Sequence, residues 1–343
     1  MADSQTPRPT ASSPPSATSV ADPNPCADGL TGLEIPLPLG VAYSGGADST
    51  ALLLAASARW PGSVHALHVH HGIQSAADGF VEHCRSFCES LGVALRVIHV
   101  DGRHKGGESP EDAARRARYQ ALAAAATELG LRSVLLAQHA DDQAETLLLA
   151  LSRGAGLPGL AAMPARFERH GVRFERPCLS VRSSDIRNWL LRQKVSWIED
   201  PSNAETALTR NRIRHDVLPA LERAFPSFRS TLARSARHAA QAQGLLDELA
   251  VQDLQSLGDP PAIAPLRRLS SARQGNALRH WLKTRYGVAA SSAQLSELLT
   301  QVQACSTRGH AIDIKVASGH IHRRGDVLVY LPDPGSGPAP VQA

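Results

Sequence analysis

Short apolar runs and longer amphipathic stretches alternate along the first half of the chain. Four runs rich in β-branched and aliphatic residues predict strands at Leu39–Tyr43, Val64–His71, Ala94–Val100 and Ser133–His139. The stretches between them predict helices at Asp48–Arg59, Phe80–Leu91 and Pro110–Leu129. The third helix has good start signals, with Ser109 as candidate N-cap and Pro110 at the first helical position. Because near-continuous apolar strands alternate with helices, we predict an α/β fold with a doubly wound parallel sheet.

The pattern changes after about Pro219, where the strand–helix alternation ends. Helices are predicted at Phe225–Leu257, Gly275–Arg285 and Ser291–Ala304, and short β runs at Ile312–Val316, His320–Arg323 and Val327–Leu331. We therefore expect a smaller, mainly helical second domain with a short β finish. The expected division is a disordered leader over 1–33, an α/β domain over 34–222, a helical domain over 223–332 and a flexible tail over 333–343.

The leader is rich in Pro, Ser, Ala and Thr and has no apolar segment of the kind that signal peptides contain. No run in the chain approaches the roughly 18 apolar residues that a membrane-spanning helix needs, so no membrane partner is expected. The five cysteines are odd in number and scattered, which favours reduced thiols in a cytoplasmic protein. The sequence does not determine the oligomeric state, and a homodimer is compatible with it.

The net charge of +4 is distributed unevenly. Residues 1–160 contain 11 Lys and Arg against 16 Asp and Glu, whereas residues 161–343 contain 25 against 16. A basic surface attracts polyanions such as nucleic acid. The alternative is a solvated arginine-rich face, and charge alone does not decide between the two.

The segment Ser44-Gly45-Gly46-Ala47-Asp48-Ser49 follows the first predicted strand and leads into the first predicted helix. Two glycines let the backbone bend so that consecutive N–H groups point into one anion-binding concavity. The helix N-terminus adds free N–H groups and the positive end of its dipole. Ser44 and Ser49 supply hydroxyl donors, whereas Asp48 would repel a phosphate unless a metal ion lay between them. The segment therefore predicts a phosphate-binding loop.

The chain nowhere contains G-x-x-x-x-G-K-[ST], which disfavours transfer of a γ-phosphate. The SGGxDS pattern instead resembles the pyrophosphate-binding loop of the N-type ATP pyrophosphatases, the PP-loop family, whose fold is adenine nucleotide α-hydrolase-like. The resemblance implies that ATP is split between its α- and β-phosphates and that AMP activates an oxygen. Gly154–Gly159 also matches G-x-G-x-x-G, but it follows a helix and contains Pro158, so it predicts no dinucleotide site.

A second polar segment, Gln138–Thr146, follows the fourth predicted strand at the carboxyl edge of the sheet, which faces the nucleotide. Asp142 and Glu145 are three residues apart and Asp141 and Glu145 four apart, so they share one helix face. Like charges so placed repel each other unless a cation lies between them. An acidic helix N-terminus that complements the dipole is the alternative interpretation.

The stretch from His139 to Met163 reads HxDDQxETxLxxLxRGxGxxGLxxM and resembles the signature of the bacterial tRNA(Ile)-lysidine synthetase family. Further matches are Leu67–Gly72, Ala114–Tyr119 and Ser196–Arg214, the last with Trp197, Asp200, Ser202, Asn203, Arg210, Asn211 and Arg214. The resemblance implies a ligase that adenylates the C2 oxygen of the wobble cytidine in tRNA(Ile) with a CAU anticodon. Free L-lysine then attacks C2 through its ε-amine and expels AMP, with ATP as co-substrate.

The same resemblance implies roles for single residues. Ser44 to Ser49 would hold the phosphates, and Asp48 and Asp142 would lie around Mg²⁺ and lysine. Glu145 would hold the lysine amine. Arg118 and Arg210 would face the phosphates or the cytidine carbonyl, or be solvated arginines of a basic helix. His139 belongs to the same motif and completes the predicted catalytic set.

The sequence departs from the family pattern at two positions. Gln138 replaces a histidine, so no acid–base role is assigned there, and His70 replaces an asparagine. His68, His70 and His71 could suggest zinc, but neighbouring strand residues point to opposite faces, which favours packing. A tRNA thiolase is the enzyme alternative, although the chain has no C-x-x-C pair. A non-enzymatic RNA-binding module would leave the acidic residues without a purpose.

Overall fold

The computed structural model describes residues 22–70, 77–100, 110–199, 209–305 and 310–333. It divides into two compact units, one formed by the chain up to 155 and by 162–236, the other by 156–161 and the chain from 237. The division falls inside a long helix, and not after Glu222 as expected. The N-cap Ser109 and all of the expected tail 333–343 except its first residue lie outside the described residues.

A six-stranded sheet forms the centre of the first unit, in the order β3-β2-β1-β4-β6-β5. Its strands are β1 Leu39–Ala42, β2 Val64–His70, β3 Ala94–His99, β4 Ser133–Leu135, β5 Arg166–Arg169 and β6 Val172–Glu175. All neighbouring strands are parallel except β5 and β6. Leu39 on the central β1 is in register with Val64 on one side and Ser133 on the other. The predicted doubly wound, mainly parallel sheet is confirmed.

Helices cover both faces of this sheet. The helices of the first unit are α1 Ala27–Leu30, α2 Ala47–Arg59, α3 Ala77–Leu91, α4 Pro110–Glu128, α5 Ala140–Ser152, α7 Ser183–Arg192, α8 Thr209–Arg212 and α9 Leu218–Ala224, whereas α6 Leu157–Leu160 belongs to the second unit. Buried side chains of α1, α2, α3 and α7 form one apolar cluster, and those of α4 form another with β2, β4 and β6. Two separate clusters are what a parallel sheet with helices on both faces requires.

The expected leader extends too far along the chain. Cys26 and Leu30 are completely buried in the core of the first unit. Trp189 donates from Nε1 to the carbonyl oxygen of Asp22 at 3.0 Å, and Arg192 donates from Nε to the Asp22 carboxylate at 2.7 Å. Residues 22–33 are therefore part of the α/β unit. The overall composition of the leader did not reveal that Cys26 and Leu30 pack in the core.

Several predicted elements have different ends in the structure. β4 ends at Leu135, and not at His139, because the chain turns there and His139 becomes the N-cap of α5. The long helix α10, Phe228–Leu257, begins three residues later than predicted, after Pro226 and Ser227. The hairpin of β5 and β6 was not predicted. Its turn has positive φ at both His170 and Gly171. A histidine in the sequence does not predict this conformation.

The second unit combines helices with an antiparallel sheet. Its further elements are α11 Ile263–Leu266, α12 Ser271–Tyr286, α13 Ser292–Ala304, β7 Asp313–Val316, β8 Gly319–Arg324 and β9 Val327–Pro332. Trp281 and Leu298 of the helices pack with Ile314, Ile321 and Tyr330 of the sheet. The mainly helical domain with a short β finish is confirmed. Among the described helices, none has the length and apolarity needed to cross a membrane.

Candidate active site

The loop between β1 and α2 is closed by its two serines. Ser44 Oγ and Ser49 Oγ lie 3.1 Å apart, and the backbone N–H of Ser44 donates to Ser49 Oγ at 3.2 Å. The hydroxyl of Ser49 donates in turn to the carbonyl oxygen of Gly46 at 3.0 Å. Gly46 is the N-cap of α2 and offers no capping side chain. This is the geometry in which a helix N-terminus binds phosphate.

Gly45 is the residue that permits the turn. Its φ of 83° lies in the left-handed region, where a side chain is strained. A Cβ at this position would lie 2.8 Å from Ile198 Cδ1 and 3.0 Å from Cys84 Sγ. The backbone N–H of Ile198 also donates to the Gly45 carbonyl at 2.9 Å. The loop is therefore supported from below by a residue far away in the sequence.

His139 connects this loop to the acidic start of α5. Its backbone N–H donates to Asp142 Oδ2 at 3.0 Å, which completes a reciprocal cap with the Asp142 N–H. Its Nε2 lies 3.5 Å from Asp48 Oδ2 and 3.4 Å from Asp142 Oδ2, and its Nδ1 lies 3.7 Å from Asp141 Oδ2. Three carboxylates from two helices thus converge on one buried imidazole.

The protonation of His139 follows from these neighbours. Burial disfavours the charged ring, but the carboxylates of Asp142 and Asp48 outweigh this effect and raise the pKa of His139 to about 9. An imidazolium cannot accept the 3.4 Å contact from the Asp142 N–H, so that contact belongs to the neutral ring. The three nearby carboxylates favour the charged ring, and the long cap contact stabilises the neutral ring only weakly.

Glu145 lies on the next turn of α5, and its side chain is completely buried. Arg214 donates from Nε to Glu145 Oε1 at 2.7 Å and from Nη2 to Oε2 at 3.1 Å. The same Nη2 reaches Asp142 Oδ1 at 3.3 Å. Burial raises the pKa of Glu145, and the Arg214 guanidinium offsets part of that rise. Arg214 therefore supplies the cation that two neighbouring carboxylates require.

A second arginine, Arg229, holds the other side of the α5 N-terminus. Its Nε donates to Asp141 Oδ1 at 2.6 Å, while the Ser183 backbone N–H donates to Asp141 Oδ2 at 3.0 Å. Burial opposes ionisation of Asp141, but these two donors keep its pKa below the usual value. The Ser183 hydroxyl also reaches Asp48 Oδ1 at 3.4 Å. Sequence analysis missed Arg229 and Ser183, because no spacing links positions so far apart.

Gln138 has a structural partner. Its Oε1 accepts from Arg176 Nε at 3.0 Å. The same buried guanidinium donates to the carbonyl oxygen of Pro164 at 2.7 Å and to the Tyr119 hydroxyl at 3.0 Å. Arg176, which the sequence did not single out, thus joins the ends of β4 and β6 to α4 beside the acidic helix start.

Comparison with known proteins bears directly on this arrangement. A PP-loop domain model matches residues 36–221, and a model described as TilS substrate binding domain matches residues 262–329. The tRNA(Ile)-lysidine synthase of Polaromonas naphthalenivorans is 59% identical over 92% of this chain and 97% of its own length. The chain belongs to the tRNA(Ile)-lysidine synthase family.

Members of this lysidine synthase family differ in length. The relative from Burkholderia pseudomallei is 42% identical over 83% of this chain, and the match spans 60% of that relative's length. Among solved structures, the U34-tRNA thiolase of Methanococcus maripaludis has a TM-score of 0.54 at 15% identity, covering 62% of this chain and 77% of its own. At that identity the likeness establishes a common fold only.

The structure brings together some of the predicted lysidine synthase residues and separates others. Asp48, His139 and Asp142 meet beside the loop, and Arg214 links Asp142 to Glu145. Arg118 is exposed on α4, and Arg210 is half-buried on α8, each on a helix separate from α2 and α5. The motif residues Asp200, Ser202 and Asn203 lie outside the described residues.

The histidines at the end of β2 pack within the sheet. The buried His68 uses Nδ1 to contact the Tyr43 carbonyl oxygen at 2.9 Å and lies 3.5 Å from Cys84 Sγ. Burial lowers the pKa of His68. The ring of His70 lies 4.9 Å from that of His99 on the neighbouring strand. His71 lies outside the described residues. These contacts agree with the packing interpretation.

Proposed function

We propose that this chain ligates free L-lysine to C2 of the wobble cytidine in tRNA(Ile) with a CAU anticodon. ATP is the co-substrate, and lysidine, AMP and pyrophosphate are the products. The observation that carries the proposal is the PP-loop beside a carboxylate-rich helix start, in a chain 59% identical to a named tRNA(Ile)-lysidine synthase. In two balanced steps, the cytidine O2 attacks the α-phosphorus and releases pyrophosphate, and the lysine nitrogen then attacks C2 and releases AMP with that oxygen.

The loop Ser44–Ser49 is proposed to hold the phosphates of ATP. Its backbone N–H groups, its two hydroxyls and the N-terminus of α2, which no side chain caps, are the donors that phosphate would bind. Pyrophosphate is the leaving group of the first step, and these donors stabilise the charge that develops on it. Arg118 and Arg210 remain our candidates for further cationic contacts to phosphate or to the cytidine carbonyl.

The donor set beside the loop suits Mg²⁺. The carboxylates of Asp48 and Asp142 both lie within 3.5 Å of the same His139 nitrogen, and Mg²⁺ prefers oxygen ligands of this kind. When bound, Mg²⁺ would neutralise phosphate charge. Asp48 and Asp142 would hold it, and the His139 ring lies next to both carboxylates.

The lysine ammonium is proposed to bind at Glu145 and Asp142. Both carboxylates accept hydrogen bonds from the cationic side chain of Arg214, so an incoming lysine would share them with Arg214 or take its place. Lysine must enter protonated and lose a proton before it attacks. Glu145 combines complete burial with a raised pKa, the two properties that make a carboxylate a better proton acceptor.

Labelled lysine tests this proposal against its rivals. The chain is incubated with ATP, Mg²⁺ and a CAU-anticodon tRNA(Ile) transcript, beside a transcript with uridine at the wobble position. We expect base-stable label in the cytidine transcript alone. Base-labile label would indicate aminoacylation, and binding without incorporation would indicate an RNA-binding module. A thiolase is disfavoured already, because all five cysteines are buried and no two form a C-x-x-C pair.

A further inference from the structure

Two histidines and an aspartate share the solvent face of the sheet in the second unit. Side chains of β7, β8 and β9 alternate, so Ile314, Val316 and Ile321 point into the core. Asp313, His320 and His322 occupy the opposite face, where Asp313 is exposed and the two histidines are partly exposed. The histidines therefore contribute nothing to the apolar core, and their position calls for another explanation.

The three side chains converge on one point. Asp313 is in register with His322 on the adjacent antiparallel strand, and His320 follows the same face two residues earlier. His320 Nδ1 lies 2.7 Å and His322 Nδ1 3.6 Å from Asp313 Oδ1. The two imidazole rings are stacked, with centroids 5.6 Å apart. One ligand atom from each residue lies within 4.8 Å of the other two, the only such group among the described residues.

We propose that Asp313, His320 and His322 bind one divalent transition-metal cation of the Zn²⁺, Co²⁺ or Ni²⁺ class. Two imidazoles and one carboxylate select borderline metals over Mg²⁺ and Ca²⁺. Ligand atoms of a tetrahedral ion are about 3.3 Å apart, given bonds of about 2.0–2.1 Å. The contact between the exposed Asp313 and His320 has to open from 2.7 Å by about 0.6 Å to reach that separation.

A second carboxylate lies near the other ring nitrogen of His320. Nε2 is 3.9 Å from Asp333 Oδ1, which is within ion-pair range but longer than a hydrogen bond. A carboxylate beyond the second ring nitrogen is the usual partner that fixes the tautomer of a metal-binding histidine. Lys315 shares this face and is in register with His320. Its charge opposes a cation, but its long side chain can turn toward solvent. The bound ion would link β7 to β8 and keep an open position for water.

Titration of the full chain with Co²⁺ alone tests this site, with calorimetry for stoichiometry and visible absorption for nitrogen ligation. His320→Ala, His322→Ala and the conservative His322→Gln should each weaken the nitrogen-ligated Co²⁺ by at least about tenfold, since even outer partners of a metal are worth about 10- to 100-fold. Lys315→Ala removes a charge but no ligand, and His280→Ala removes a histidine paired with Asp247 elsewhere in this unit. Both should bind Co²⁺ at least as tightly as the parent does.

A Co²⁺ ion held by active-site carboxylates would persist in all these variants. The measurement that tests the proposal is therefore the difference in bound Co²⁺ between the parent and the double variant His320→Ala, His322→Ala. Equal Co²⁺ binding by the parent and that double variant would overturn it, and so would a parent that binds no nitrogen-ligated Co²⁺. The histidines would then be ion-pair partners of Asp313 only.

Discussion

The Nε and Nη2 atoms of Arg214 lie 2.7 and 3.1 Å from the two carboxylate oxygens of Glu145. These residues are 69 positions apart. The buried carboxylate therefore has its charge compensated within the chain itself. An incoming lysine ammonium must share Glu145 with Arg214 or take its place, and this requirement shapes the first prediction.

Glu145→Gln should impair lysine use far more than ATP use. A neutral amide makes a weaker bond to an ammonium, and bonds to charged groups contribute roughly 1.5–3 kcal/mol. This corresponds to an increase of about ten- to hundredfold in the KM for lysine. Steady-state titration of each substrate measures the effect. The control is Glu175→Gln, because Glu175 is another buried glutamate and pairs with Arg166 and Arg173. Equal losses for ATP and lysine would make Glu145 a structural residue.

Gly45→Ala should destabilise the protein and abolish ATP binding. The substitution adds left-handed strain of about 1–2 kcal/mol and a clash with Ile198, which typically costs about 1–3 kcal/mol more. Gly130→Ala is the matched control, since Gly130 also has positive φ but open space around a Cβ. Thermal denaturation compares the two variants. A Tm of Gly45→Ala equal to that of Gly130→Ala would mean that Ile198 gives way at no cost.

Leu30→Ala should lower the free energy of unfolding by about 2–5 kcal/mol, the usual cost of truncating a buried leucine. Leu30 is completely buried, whereas Leu151 is 53% exposed. Leu151→Ala should therefore change stability little. Urea denaturation followed by circular dichroism compares the two variants. If Leu30→Ala behaves like Leu151→Ala, residues 22–33 do not pack on the core as described.

The native cysteines should resist thiol reagents. All five are buried, and burial raises the pKa of both Cys84 and Cys88 to about 12. At pH 8 almost no thiolate forms on Cys84 or Cys88, because the pH lies far below these two values. Ellman's reagent should label almost no thiol in native protein and five in guanidinium. Rapid labelling of the native chain would contradict the described burial.

Sequence reasoning reaches the parts of the candidate site whose residues are neighbours along the chain. The loop Ser44–Ser49 and the pair Asp142 and Glu145 are readable because strand–helix context and helix spacing are local properties. The bond from Arg229 to Asp141 spans 88 residues, and that from Arg176 to Gln138 spans 38. No periodicity encodes such contacts, which depend on how strands and helices meet.

The domain boundary shows the same limit. The composition changes near Pro219, yet Phe228 packs with Ala144 and Leu218 in the first unit. Charge and helix patterns reveal where one type of structure ends, but not which core a helix joins.

The most direct test of the central claim is the product balance of one reaction. AMP, pyrophosphate and tRNA-bound lysine are quantified together as the CAU-anticodon transcript is consumed. Our account predicts equal amounts of all three and no ADP, because the loop lacks the lysine of a γ-phosphate-transferring enzyme. Formation of ADP in proportion to bound lysine would contradict cleavage between the α- and β-phosphates. AMP release without tRNA-bound lysine would contradict the ligation itself.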